Sequence, residues 1–136
     1  MTLTAKDAKS AKDVNARSHE VIGAAIEVHR ELGPGLLESA YEQALAHELH
    51  TRGVPFQRQV AMPVAYKKIQ LDCGFRLDML VDDCLVTELK SVDKFAPIHE
   101  AQVLTYLRLS DCRLALLLNF NVTSMRNGIK RVARDL

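Results

Sequence analysis

Apolar positions along this chain first recur with helical spacing, then alternate, then return to helical spacing. Between residues 18 and 32, Val21, Ile22, Ala25, Ile26, Val28 and Leu32 fall on one side of a helix. Gly33-Pro34-Gly35 ends that helix and turns the chain. A second helix is predicted over 37–52, with Leu37, Tyr41, Ala44, Leu45, Glu48 and Leu49 along one side, Gly53 as its cap and Pro55 beyond it. Residues 56–66 alternate as a strand, with Pro63 marking an edge or a bulge. Lys67-Lys68 then makes a turn and 69–72 continues a meander. Two apolar strands follow over 75–90, joined at Asp82-Asp83. Pro97 suits the first turn of a helix running to about 109. Residues 112–120 form a nearly continuous apolar strand, the pattern of a strand covered on both faces. The tail from Met125 reads either as a short strand at 128–132 or as a helical turn. The order α-α-β-β-β-α-β predicts an α/β domain with a mixed central β-sheet flanked by helices.

Composition narrows this picture. A length of 136 residues suits one domain with a real core. Residues 5–13 run Ala-Lys-Asp, Ala-Lys-Ser, Ala-Lys-Asp and can bury no face, so 1–15 is expected as a flexible N-terminal tail or a loose helical extension and 16–136 as the single domain. Three cysteines with no CxxC spacing argue against a disulfide framework or a zinc site. The longest purely apolar run, 114–118, is far too short to cross a membrane, and the N-terminus has no apolar signal segment. The cytoplasm is the expected compartment. A net charge of +1 gives no overall basic field, so any nucleic-acid contact must be local.

The 75–90 hairpin carries residues that a plain core hairpin does not need. Glu88 and Lys90 are two apart and share a strand face. A two- or three-residue loop at Asp82-Asp83 places Asp78 opposite Thr87 or Glu88, and the three-residue loop sets Asp78 beside Glu88. Two carboxylates facing each other across a strand pair repel, and a lysine or a divalent cation relieves them. Both remedies point to phosphate chemistry.

Asp78-x9-Glu88-x-Lys90 matches a D…(D/E)xK pattern, with Leu77 where a proline often precedes the aspartate. Gly35-Leu36-Leu37-Glu38-Ser39-Ala40-Tyr41 reads G-x-x-E-x-x-Y, and Gln102 to Tyr106 reads Q-x-x-x-Y. These elements, in this order, resemble the GxxExxY protein family of the PD-(D/E)XK nuclease superfamily, in its RecB-type and lambda-exonuclease-type branch. The resemblance covers about residues 18–125 and implies a restriction-endonuclease-like core. It also implies a Mg2+- or Mn2+-dependent nuclease acting on DNA. A metal in such a site polarises the phosphoryl oxygen and lowers the pKa of the attacking water. Mg2+ keeps several waters, so a few carboxylates suffice. Asp78 and Glu88 are the expected direct ligands, with the backbone carbonyl of Leu89 a third. The resemblance implies that Glu38 completes the shell directly or through water. Lys90 would orient the nucleophilic water or stabilise developing charge. Gln102 and Tyr106 share a helical face and are placed beside the site.

Plainer readings stand beside these. Tyr41 reads as a core aromatic, and Glu38 suits a helix start by charge alone. His99 lies close to the expected site. Two further functions compete with catalysis: a catalytically inactive nucleic-acid- or protein-binding module on the same fold, and an interaction protein whose hairpin edge pairs between subunits as a homodimer.

Overall fold

The computed structural model describes residues 11–134. Helix α1 spans Ala11–Leu32 and α2 spans Glu38–Thr51, joined by the predicted glycine-proline-glycine turn. Gly33 and Gly35 hold φ of +66° and +100°, a region that a side chain enters only at about 1–2 kcal/mol. Helix α1 starts well before residue 18 and carries Val14 into the core, so the last residues of the expected tail are helical. Residues 1–10 of that tail lie outside the described residues. Leu37 does not join the inner side of α2. It is the N-cap, in an extended conformation, and is 79% exposed. The buried side of α2 is Tyr41, Glu42, Leu45, Ala46 and Leu49.

Residues 56–66 form two strands rather than one. Strand β1 (Phe56–Ala61) ends before Pro63, which has no N–H to continue a ladder. Strands β2 (Val64–Tyr66) and β3 (Ile69–Leu71) make a separate hairpin with Lys67 and Lys68 at its tip. Strands β4 (Arg76–Val81) and β5 (Leu85–Lys90) make the predicted hairpin, followed by α3 (Pro97–Ser110) and β6 (Leu114–Asn119). The tail is both things in succession: a 3-10 turn, Met125–Gly128, then β7 (Ile129–Ala133).

The main sheet runs β1-β4-β5-β6-β7, antiparallel except for the β5–β6 pair that α3 connects. This is the predicted mixed sheet flanked by helices. Helices α1 and α2 cover one face, over Met79, Val81, Leu85, Leu89, Leu116 and Leu118. Helix α3 covers the other, with Val103 and Leu107 against Leu80, Val86 and Leu117. Every residue of β6 is buried, as its unbroken apolar run requires. The β4–β5 hairpin is central, with a neighbouring strand on each side. The hairpin that carries Asp78 and Glu88 is therefore not an edge of this sheet, whose edges are β1 and β7.

A buried hydroxyl on β5 lacks a partner among the described residues. Thr87 is fully buried on β5 between Leu85 and Leu89, and its hydroxyl has no hydrogen-bond partner among the described residues. Valine has the same shape without the stranded hydroxyl. Thr87→Val should stabilise the fold by about 1 kcal/mol, read as a rise of a few degrees in Tm. An unchanged or lower Tm would mean that the hydroxyl is satisfied in solution.

Candidate active site

The site grows out of the register of the β4–β5 hairpin. Val81 faces Leu85, Leu80 faces Val86 and Met79 faces Thr87 across a three-residue loop, Asp82-Asp83-Cys84. One step further brings Asp78 opposite Glu88, and here main-chain pairing gives way to side chains. The Asp78 N–H donates to Glu88 Oε1 at 2.8 Å, and the Leu89 N–H donates to Asp78 Oδ2 at 2.9 Å. Beyond this point β4 stays with β1 as far as Arg76, while β5 stays with β6 as far as Lys90. The sheet forks, and the two acids sit in the fork.

The fork is a poor place for two negative charges. Glu88 is 4% exposed, and its pKa is pushed up to about 9, first by burial and then by the charge of Asp78. Burial also raises the Asp78 pKa, against the pull of the Leu89 N–H, the hydrogen bond with Glu88 and the charge of Lys90. Burial and the neighbouring charge of Asp78 therefore favour a proton on Glu88 at neutral pH. Lys90, half-buried at the end of β5, favours the ionised form of both. Tyr106 on α3 feels the same two acids: its pKa is raised by burial and then by the charges of Glu88 and Asp78.

The sequence model of the PD-(D/E)XK nuclease superfamily matches residues 15–132. The chain belongs to the PD-(D/E)XK nuclease superfamily. No curated protein and no solved structure gives a significant match to it.

Within this PD-(D/E)XK domain, the sequence-predicted residues fall into three groups. Asp78, Glu88, Lys90 and Tyr106 act on one another directly through hydrogen bonds and charge. Gln102 stands one helical turn from Tyr106 and lines a cavity of about 290 Å³ with Phe75, Ile98, Thr105 and Tyr106. Glu38 is at the mouth rather than in the fork: its Oε1 accepts the N–H of Ser91, just past Lys90, at 3.2 Å. Among the described residues no three His, Cys, Asp or Glu side chains are grouped closely enough to hold a metal ion. Leu89 is buried and gives its N–H to Asp78.

The loop carrying Glu38 is fixed from two sides. Tyr41, fully buried, stacks on Phe120 with ring centroids 4.5 Å apart. Its hydroxyl donates to the Gly33 carbonyl at 2.6 Å and accepts the Leu36 N–H at 3.1 Å, so the last residue of G-x-x-E-x-x-Y secures the turn before the first. Ser91 Oγ donates to the Leu36 carbonyl at 2.8 Å and ties the same loop to the end of β5. His99 has a local role: its Nδ1 accepts the Ala96 N–H at the start of α3. Exposed Arg76 reaches the Gln59 carbonyl.

Three residues around the PD-(D/E)XK site escaped sequence reasoning. Glu42 follows Tyr41 onto the buried side of α2 and accepts two hydrogen bonds from Arg58, at 3.0 and 2.8 Å, and one from Gln59 at 2.7 Å. Gln59 takes a φ of +51°, rare for a non-glycine strand residue, at the β1 position facing Asp78. Both strands change face here. Met79 packs with the α1–α2 face but Leu77 with the α3 face, and Phe56 and Val60 divide in the same way. Glu42 thus anchors the distortion behind Asp78, and its charge adds to the rise in the Asp78 pKa. The available signal was a glutamate one turn after Glu38 on an apolar stripe. Phe75, the third, packs edge-to-face on Tyr106 at 6.3 Å. Glu42→Gln leaves one acceptor for three donors and should cost about 2 kcal/mol in chemical denaturation. No change would show that Arg58 and Gln59 are as well served by water.

Proposed function

We propose that this PD-(D/E)XK domain is a GxxExxY-type nuclease of the RecB-like, lambda-exonuclease-like branch that hydrolyses phosphodiester bonds in DNA with Mg2+ or Mn2+. The observation that carries the reading is the reciprocal Asp78–Glu88 pair in the fork, with Lys90 two residues on. The donor set fits a hard divalent cation. Two carboxylates that cannot both ionise on their own are relieved by a positive charge between them, and Mg2+ accepts oxygen ligands while keeping several waters. Asp78 and Glu88 would hold the ion, with the Leu89 carbonyl as a third donor and Glu38 reaching it through water. When bound, the ion supplies Lewis-acid polarisation of a phosphoryl oxygen and a more acidic attacking water. Lys90 orients that water and offsets the charge developing on phosphorus-bound oxygen. Gln102 and Tyr106 form the wall on which the substrate backbone rests.

A second reading draws on two observations: Glu38 bonded to Ser91 rather than in the fork, and a net charge of only +1. On it the fold binds nucleic acid or protein without cutting. Manganese-supported cleavage of DNA that disappears in Lys90→Ala, with Mn2+ uptake that depends on Asp78 and Glu88, separates the two. DNA binding without cleavage or Mn2+ uptake would favour the binding module.

A further inference from the structure

The β2–β3 hairpin stands outside the main sheet and is exposed along nearly its whole length. It buries almost nothing, so its sequence is not explained by the core. Tyr66 is 57% exposed and Ile69, its partner across the turn, is 60% exposed. At the tip, Lys67 and Lys68 hold φ of +48° and +69°. A two-residue turn with both φ positive favours Asn-Gly, and each lysine there costs about 1 kcal/mol. Strain of this kind, held at an exposed tip, marks a place where the side chain matters more than the turn. The side chains set there are two ammonium groups beside an aromatic ring, with Lys67 Nζ 5.5 Å from the ring centre of Tyr66.

The base of the hairpin adjoins the start of β4. A cavity of about 490 Å³ lies between it and the start of β4, with Met62, Gln70, Leu71, Phe75 and Arg76 in its walls. Phe75, 41% exposed, also lines the second cavity with Gln102 and Tyr106, so the two are neighbours. Aromatic and basic groups thus stand at the hairpin tip (Tyr66, Lys67, Lys68), in the wall of the first cavity (Phe75, Arg76) and in that of the second (Phe75, Tyr106), where Tyr106 feels the two acids. Aromatic faces interleaved with cations are what an unpaired nucleic-acid strand recognises, bases on the rings and phosphates on the charges. A duplex has its bases already stacked and offers nothing to Tyr66.

We propose that the β2–β3 hairpin and the adjoining cavity form a binding site for an unpaired nucleic-acid strand, stacking bases on Tyr66 and Phe75 and delivering its backbone to the Asp78–Glu88 fork. This rests on the nuclease reading only for what happens at the fork. Binding can be measured separately, by anisotropy of a labelled oligothymidylate without divalent metal. Wild type should bind it in preference to a duplex of the same length. Tyr66→Ala should weaken binding about tenfold, and Tyr66→Phe should restore it. Lys67→Ala with Lys68→Ala should make the salt dependence of log Kd shallower by about 1.4. All three positions are surface ones, so melting curves should stay unchanged. Equal binding by wild type and Tyr66→Ala, a preference for duplex, or no binding to either form would overturn the proposal, even if DNA is cleaved. Hairpin-dependent binding without any Mn2+-supported cleavage would sustain it and remove the nuclease reading instead.

Discussion

Lys90→Ala should reduce Mn2+- or Mg2+-supported DNA cleavage by about a hundred- to a thousandfold, the usual effect of deleting one pre-positioned positive donor from a transition state. The fold should not suffer. Lys90 is half-buried at the end of β5, and its side chain carries none of the hydrogen bonds that close the fork. Loss of its charge leaves Asp78 and Glu88 more willing to hold their proton, so Mn2+ should also bind more weakly. Single-turnover cleavage, Mn2+ calorimetry and a melting curve on one preparation distinguish these effects. The expected result is a large loss in rate, a modest loss in metal affinity and an unchanged Tm. Cleavage that survives the substitution comes from a contaminant or from other chemistry, and the assignment of the site would fall with it.

Glu88→Gln should do the reverse to stability: the metal-free protein becomes more stable while cleavage disappears. Glu88 has a pKa of about 9 in the folded protein against an ordinary 4.5. Between those values the folded state holds a proton that the unfolded chain has released, so stability declines as pH rises through the window. At pH 7 the accumulated cost is about 3 kcal/mol, at roughly 1.4 kcal/mol per pKa unit. Glutamine mimics the protonated acid, accepting the Asp78 N–H and donating towards Asp78, and does not ionise. Chemical denaturation at several pH values should show wild type weakening from about pH 5 to 9 and the variant nearly flat. Mn2+ should stabilise wild type, with release of a proton, and leave the variant unmoved. A variant less stable than wild type at pH 8 would refute the claim that Glu88 is protonated in the fork. A substitution that strengthens the fold while silencing the chemistry is a signature of strain kept for function.

Most of the architecture was legible because period and punctuation agree along the chain. Val21 to Leu32 and the 112–120 run can each be only one element, and Pro97 and Gly53 mark boundaries that the structure keeps within a residue or two. The hairpin pairing was legible because strand geometry is arithmetic: the separation of Asp78 and Glu88, with a three-residue loop, fixes it. What sequence could not supply came from long-range packing. Pro63 was visible, but not that β2 and β3 would leave the sheet altogether. Glu42 drew no reading because its partners, Arg58 and Gln59, lie on another element. Glu38 was legible as a motif residue, yet its hydrogen bond to Ser91 depends on how α2 docks on the end of β5.

The reciprocal bonds in the fork also say something about descent. Asp78 and Glu88 each accept a main-chain N–H that the diverging strands would otherwise leave unserved. Selection for folding alone would therefore retain an N–H acceptor at each position, an acid or an amide at 88 serving equally, in a lineage that had stopped cutting anything. An ammonium can accept no N–H, so Lys90 has no such second employment. Across related chains, the lysine is the position whose erosion would date the retirement of an enzyme, long before the two acceptors beside it were lost.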